Sequence, residues 1–233
     1  LLGYPGVDYK KTRIVRIEKE YDRVFTYYLE RPSGFTFESG QYFHLVAPRG
    51  YINNHDVRHI SLANAPDEDV LMVTMDLASE TRFKRRFEGA RVGDGLGFYS
   101  VKGVPVLEGV DADTSLVLIA GGVGITPFRS MIQAGVQHPW HLIYAGRGYC
   151  YQSLWEGYGS KQVTFVTRAT LWESLDKQID VCQFFIVCGS SGFVHAVAEY
   201  LASKSVPSDK VRLEDFQFDE TDDSLLLTDS KHG

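Results

Sequence analysis

Between Thr12 and Gly103, apolar and β-branched residues come in short runs separated by turn-forming residues such as Pro32-Ser33-Gly34. Runs of this length and composition predict β-strands, and six of them at this spacing favour a small antiparallel barrel. The predicted strands are Thr12–Lys19, Val24–Arg31, Gln41–Pro48, Arg58–Asn64, Val70–Leu77 and Leu96–Lys102. One helical patch interrupts them at about Thr81–Glu88, where Phe83 and Phe87 have the i, i+4 spacing of one helix face.

From Asp113 onward, apolar strands alternate with helix-like stretches such as Ser191–Lys204. That alternation predicts an α/β domain, a parallel sheet with crossover helices. Its predicted strands are Ser115–Ala120, His141–Gly146, Gln162–Thr167, Phe184–Cys188 and Val211–Phe216. The change of pattern places a domain boundary in Glu108–Asp113, which divides the chain into residues 1–110, residues 111–218 and an acidic tail over 219–233 that we expect to be disordered.

Composition narrows the class of protein. The 233 residues are 44% hydrophobic and 13% aromatic, enough to build real cores, and no apolar run predicts a membrane span or a leader peptide. The net charge of −6 argues against general nucleic-acid binding. Cys150, Cys182 and Cys188 lack metal-site spacing, and their odd number argues against a disulfide framework, so we expect no metal and a reducing, cytoplasmic compartment.

The stretch 115–131 leads from a continuously apolar strand through a glycine cluster into a helix start. Gly121, Gly122 and Gly124 allow a sharp turn and a close approach to a ligand, while Thr126 is expected to cap the helix that Pro127 opens. Free amides at such a turn suit a phosphate. The dinucleotide fingerprint is only partly matched, because Pro127 stands where the third glycine would be, so a tight turn without a ligand is the alternative.

A second candidate for phosphate binding lies in the barrel half. Arg58 opens the strand Arg58-His59-Ile60-Ser61, and its rigid guanidinium fork suits a phosphate, although an ordinary exposed arginine is the alternative. Thr81 is expected to cap the helix that carries Arg82, Lys84, Arg85 and Arg86. Those basic residues fit either a solvated helix face or a docking surface for an acidic partner.

Taken together, the motifs resemble the ferredoxin–NADP reductase superfamily over about residues 10 to 218. In chain order they are Gly40-Gln41-Tyr42, Arg58-His59-Ile60-Ser61-Leu62, Thr81-Arg82-Phe83-Lys84, Gly121-Gly122-Val123-Gly124-Ile125-Thr126-Pro127-Phe128-Arg129, Val187-Cys188-Gly189 and Glu214-Asp215-Phe216. Parts of the chain look like the reductase half of flavohaemoglobins, and others look like bacterial ferredoxin-reductase-like flavoproteins. The ordered set is far more specific than any single motif.

The resemblance implies an FAD-binding barrel followed by an NAD(P)-binding domain, with hydride passing from nicotinamide C4 to flavin N5. Arg58 would hold the flavin pyrophosphate, with Ser61 by N5 and Thr81 capping the phosphate-binding helix. Gly122, Gly124 and Thr126 would cradle the pyrophosphate of the nicotinamide nucleotide. Cys188 and Gly189 would lie at the nicotinamide, Glu214 would close the site and Phe216 would lie near the flavin. The catalytic group implied is Ser61, Cys188 and Glu214.

Ile60 departs from the family, which usually has an aromatic residue there to stack on the flavin. The chain is therefore expected either to hold flavin less tightly or to supply the ring from Tyr42, His59 or Phe216. The cofactor is FAD rather than FMN only by resemblance. Arg147 and Arg168 follow two apolar strands and would meet a ribose 2′-phosphate, which favours NADPH, with NADH as the alternative.

The function expected is that of a flavin-dependent NAD(P)H reductase. It would pass electrons singly to a separate carrier such as a ferredoxin, a flavodoxin or a haem protein, because flavin divides a hydride into single-electron steps. The alternative is a non-catalytic, nucleotide-responsive or electron-conduit subunit with a weakened flavin site, which Ile60 favours.

Overall fold

The computed structural model describes residues 7–215, and the expected tail over 219–233 lies outside them. The first half of the chain forms a six-stranded antiparallel sheet in the order β4-β3-β6-β1-β2-β5. Its strands are β1 (Lys10–Tyr21), β2 (Val24–Glu30), β3 (Tyr42–Val46), β4 (Val57–Ser61), β5 (Val70–Asp76) and β6 (Gly95–Lys102). The Ala63 amide donates to the Met72 carbonyl at 2.9 Å, which brings the chain beyond β4 onto β5 and closes the barrel.

One helix covers the barrel core. Helix α1 (Arg82–Glu88) begins after Thr81 and inserts Phe83 and Phe87 among buried residues of the barrel strands, as their spacing predicts. The Thr81 hydroxyl accepts from the Lys84 amide at 3.4 Å, which confirms the predicted cap.

The second half is a parallel sheet in the order β11-β10-β7-β8-β9 with helices on both faces. Its strands are β7 (Leu116–Gly121), β8 (Trp140–Ala145), β9 (Val163–Val166), β10 (Phe184–Gly189) and β11 (Val211–Asp215). Its helices are α2 (Thr126–Gln133), α3 (Gln152–Tyr158), α4 (Leu171–Ile179) and α5 (Ser191–Ser203). The predicted fold class is confirmed.

The strand order reverses between β7 and β10, because the chain moves outward through β8 and β9 before it returns to β10. Open α/β sheets bind ligands in the crevice outside the carboxyl ends of the strands at such a switch point. The glycine cluster follows β7, and Cys188-Gly189 ends β10. The two predicted nucleotide motifs of this half therefore flank the crevice.

Buried polar contacts join the two halves. The Arg129 guanidinium on α2 forms a bidentate ion pair with the Glu68 carboxylate, at N–O distances of 2.9 and 3.0 Å. It also donates to the Ala63 carbonyl at 2.8 Å. Ser130 Oγ donates to the Asn64 carbonyl at 2.7 Å. The segment that continues β4 is thus bonded directly to the helix that follows the glycine cluster.

A second group of contacts forms around Tyr151, whose amide donates to the Glu20 carboxylate at 2.9 Å and whose hydroxyl bonds to Thr74. The connection between β6 and β7 is also fixed, because Arg212 on β11 donates to the Val106 and Glu108 carbonyls at 2.5 and 2.8 Å. Within residues 7–215, no helix is long and apolar enough to cross a membrane.

Candidate functional site

Arg58 lies beside α1 at the start of β4. Its Nη1 donates to the Asn54 and Val57 carbonyls at 2.7 and 2.6 Å, and its guanidinium carbon is 5.7 Å from the centre of the Phe83 ring. Burial lowers the pKa of Arg58 against the opposing attraction of Asp56. The side chain is therefore held by its own loop and carries a partly desolvated positive charge.

Lys84 adds a second cation to this place. Burial lowers the pKa of its ammonium, and the charge of Arg58 lowers it further against the attraction of Asp76. Two like charges that are partly desolvated and repel each other are costly unless an anion joins them. Arg58, Lys84 and the adjacent Thr81 thus supply donors that fit a phosphate.

Asp56 was not singled out from the sequence, yet it organises this corner. Its carboxylate is fully buried and bonds to Arg82 at 2.9 Å and to Arg86 at 2.8 Å. Burial alone would raise the pKa of Asp56, but the Tyr51 amide, the Asn53 amide group and the two arginines outweigh burial and lower it. Asp56 connects the loop before Arg58 to α1 and forms ion pairs with two of the four basic residues of that helix.

The flavin residues implied by the resemblance divide between the two faces of β4. Neighbouring residues of a strand point to opposite faces, so Arg58 and Ile60 share one face while His59 and Ser61 share the other. Ile60 packs against the barrel core. Tyr42 lies opposite Ser61 in the β3–β4 ladder, and its ring is 5.3 Å from the His59 ring. Phe216 lies outside the described residues.

The glycine cluster forms a short 3₁₀ turn, Gly122–Ile125, between β7 and α2. Gly122 has φ +55°, in the left-handed region that favours glycine. A Cβ added to Gly122 would have the Tyr21 hydroxyl oxygen as its near neighbour, at 4.0 Å. A Cβ on Gly124 would lie 2.2 Å from the Cys188 carbonyl oxygen. Gly122 therefore borders open space, whereas Gly124 lets the turn pack against the end of β10.

The expectation that Thr126 caps α2 is wrong. Helix α2 begins at Thr126 itself, after Ile125, and the buried Thr126 hydroxyl donates to the Val123 carbonyl at 3.1 Å. The 3₁₀ turn leads directly into the helix, so no extended residue stands before it to act as a cap. Thr126 instead stabilises the turn from within, and Pro127 occupies the first helical turn as predicted.

Cys188 and Glu214 are neighbours across the parallel pair β10–β11. Burial raises the pKa of the Cys188 thiol well above its usual value, and the Glu214 carboxylate raises it further. Burial also raises the pKa of Glu214 against the attraction of Arg212. Cys188 is thus a neutral thiol, and Gly189 beside it is packed against Gly121 and the Phe193 ring.

Arg147 and Arg168 are exposed at the carboxyl ends of β8 and β9. The charge of Arg147 acts on the Tyr21 hydroxyl, whose pKa is raised mainly by burial. The Tyr21 ring covers Gly148, since a Cβ there would lie 2.4 Å from it. A barrel residue that the sequence did not reveal therefore forms one wall beside Arg147.

No family model matches the chain. A flavohemoprotein of Pseudomonas putida is 27% identical over an alignment of 243 positions, which covers 92% of this chain and 60% of that protein. A tetrachlorobenzoquinone reductase of Sphingobium chlorophenolicum is 28% identical over 232 residues, covering 90% of this chain and 67% of that protein. The chain thus spans about 60% of the length of the flavohemoprotein.

Among solved structures, a ferredoxin NADP+ reductase from Neisseria gonorrhoeae, with bound FAD and NADP, superposes with a TM-score of 0.76 at 16% identity. The match covers 90% of this chain and 99% of that one. At this identity the match concerns the fold. The resemblance that the motifs predict is confirmed at the level of the fold.

Proposed function

We propose that this chain is an FAD-dependent NAD(P)H reductase that passes electrons on singly to a separate carrier or metal centre. One observation carries the proposal. The strand with the candidate flavin residues continues into Ala63 and Asn64, which are hydrogen-bonded to α2, the helix that follows the glycine turn. The two candidate nucleotide sites therefore adjoin at one interface, as hydride transfer between their ligands requires.

On the barrel side, Arg58 and Lys84 would neutralise the pyrophosphate of FAD, and Thr81 would keep α1 in place beside it. The repulsion between the two cations supports this role, because a bound phosphate would remove it. Ser61 would donate a hydrogen bond to the flavin at N5. Bound flavin would supply the redox chemistry, accepting a hydride and releasing single electrons.

On the nicotinamide side, Gly122 and the amides after it would hold the pyrophosphate, and Cys188 and Gly189 would border the ring. The neutral Cys188 thiol is small and brings no charge next to a nicotinamide. Glu214 would close the site from β11. Arg147 and Arg168 would bind a ribose 2′-phosphate, which favours NADPH, and NADH is the other donor to test.

The test is anaerobic reduction of the FAD-loaded protein by NADPH and, separately, by NADH. Flavin absorbance that bleaches with either donor supports the proposal, whereas flavin that stays oxidised with both overturns it. If the apo-protein binds no FAD at about tens of micromolar, the non-catalytic alternative replaces the proposal. The loss of one stacking contact would weaken FAD binding only several-fold, so it would not explain such a result.

A matched pair of glycine variants separates the site from the fold. Gly124→Ala forces a Cβ against the Cys188 backbone, whereas Gly157→Ala on α3 meets open space. We expect Gly124→Ala to slow flavin reduction while FAD binding persists, and Gly157→Ala to behave as the parent protein. Equal rates in the two variants would contradict the assigned turn.

A further inference from the structure

The Tyr144 hydroxyl joins two loops that follow neighbouring strands. It lies on β8, is completely buried, and donates to the Gly122 carbonyl at 2.9 Å. The same oxygen accepts from the Cys150 amide at 2.9 Å. One side chain thus contacts the glycine turn after β7 and the loop after β8, which carries Arg147.

At the glycine turn, this bond fixes the direction of a peptide group. Gly122 has a positive φ, and because a peptide group is planar, the direction of its carbonyl sets the direction of the Val123 amide. The Thr126 hydroxyl holds the next carbonyl, that of Val123, and with it the Gly124 amide. The amides that would meet a pyrophosphate are therefore oriented by two buried hydroxyls.

At the other loop, Cys150 is held on both sides. Its amide bonds to Tyr144, and its carbonyl accepts from the Trp155 indole at 3.0 Å. Burial raises the pKa of Tyr144 well above its usual value, so the hydroxyl keeps the proton that it donates to Gly122. The connection between the two loops persists at every pH at which the protein would work.

We infer that Tyr144 is a positioning residue that fixes the distance between the glycine turn and the Arg147 loop, so that one NADP(H) molecule can engage both loops together. This inference rests on the proposed function, because it needs a dinucleotide with its pyrophosphate at the turn and its 2′-phosphate at Arg147. Tyr144 itself would touch neither phosphate.

The test compares Tyr144→Phe with Tyr149→Phe in the FAD-loaded protein. Tyr149 lies in the same loop but bonds to the Val166 carbonyl, away from the glycine turn. Losing the Tyr144 hydroxyl removes its bonds to the Gly122 carbonyl and the Cys150 amide, so we expect affinity for NADP+ to fall by about tenfold. Affinity for 2′-AMP, which carries the 2′-phosphate but no pyrophosphate, should change by less than about twofold, since it engages one loop only.

Steady-state kinetics supply a second measurement. The KM for NADPH should rise in Tyr144→Phe while kcat at saturation is kept, and Tyr149→Phe should leave both unchanged. The inference would be overturned if Tyr144→Phe lost NADP+ and 2′-AMP affinity equally, or if its affinity for NADP+ were unchanged. It would also be overturned if the parent protein bound no 2′-AMP. A parent protein whose flavin neither donor reduces would instead refute the proposed function.

Amide hydrogen exchange in the parent protein tests the connection without any variant. NADP+ should slow exchange at Val123, Gly124 and Cys150 together, although Cys150 lies behind Tyr144. Slower exchange at the turn with no change at Cys150 would also overturn the inference.

Discussion

Ile60 is the single residue on which the strength of flavin binding is expected to depend most. It shares a face of β4 with Arg58 and packs against the barrel core, so it supplies apolar contact but no ring. We predict that Ile60→Tyr lowers the dissociation constant of FAD several-fold, because stacking contributes about 0.5–1.5 kcal/mol beyond area burial.

The measurement is fluorescence titration of apo-protein with FAD, and Ile60→Leu is the control because it keeps the size of the side chain without adding a ring. If the tyrosine variant binds FAD no more tightly than the leucine variant, the ring-stacking position lies elsewhere, with Tyr42 and His59 as the described candidates.

Glu214 makes stability depend on pH. Its folded pKa lies above the unfolded value because of burial, so ionisation in the folded state costs stability as pH rises through the folded pKa. We predict that Glu214→Gln melts about 1–2 °C higher than the parent protein at pH 8, with no difference below about pH 4.

Thermal unfolding across this pH range checks the sign. Glu173→Gln is the control, because the exposed Glu173 pairs with Lys177 at 2.8 Å and its pKa is lowered, so it should gain nothing at pH 8. A destabilised Glu214→Gln at pH 8 would mean that the carboxylate has a favourable partner.

Among the elements, α1 differs most from its sequence-based interpretation as a single basic face. Arg82 and Arg86 are bound to Asp56, and Lys84 is partly buried beside Arg58, so charge reversal at Lys84 would disturb the candidate flavin site. Arg85 is exposed. It is therefore the residue with which to test docking of an acidic carrier.

We predict that Arg85→Glu slows electron transfer to an acidic ferredoxin at low ionic strength and leaves flavin reduction unchanged. The effect should disappear at about 1 M salt, because charges are then screened within about 3 Å. Stopped-flow kinetics measure both steps. Lys161→Glu, an exposed charge reversal in the other half, is the control. Equal transfer rates in the two variants would exclude α1 as the docking surface.

The elements that the sequence predicts well are those with local causes. Three such features depend only on neighbours within a few residues: the buried apolar run of β7, the Thr81 cap and the paired phenylalanines of α1. Thr126 before Pro127 resembles a cap for the same local reason, but the preceding 3₁₀ turn overrides it.

The parts of the site that the sequence does not reveal depend on distant partners. Asp56 meets arginines 26 and 30 residues away. Tyr144 lies in an apolar run that predicts only a core strand, and nothing in that run indicates that its hydroxyl bonds to Gly122, 22 residues earlier. Such pairings follow from the strand order, which periodicity alone does not determine.

At the scale of the whole molecule, Arg129 joins the two halves. Its side chain is 11% exposed, and it holds both Glu68 oxygens and the Ala63 carbonyl. We predict that Arg129→Met lowers the free energy of unfolding by about 1–3 kcal/mol, because it leaves the partly buried Glu68 carboxylate without its counter-charge and removes a donor from the Ala63 carbonyl.

Urea unfolding measures the loss, and the double variant Arg129→Met/Glu68→Met is the control, since it removes both charges. The double variant should recover part of the stability. If the two substitutions simply add, the ion pair contributes no coupling, and the hydrogen bonds of Ser130 and Tyr151 would be the main connection.

The hydrogen bonds from Arg212 to the Val106 and Glu108 carbonyls have a consequence for synthesis on the ribosome. Arg212 and Val106 are 106 residues apart. At about 5–20 residues per second, Arg212 is therefore added about 5–20 seconds after the connection between β6 and β7 that it stabilises. During that interval Arg129 and Tyr151 are already made and can bond to the barrel, whereas the connection between β6 and β7 still lacks its two hydrogen bonds from Arg212. A truncated product that stops before β11 would therefore keep the contacts between the halves but leave that connection without its Arg212 bonds.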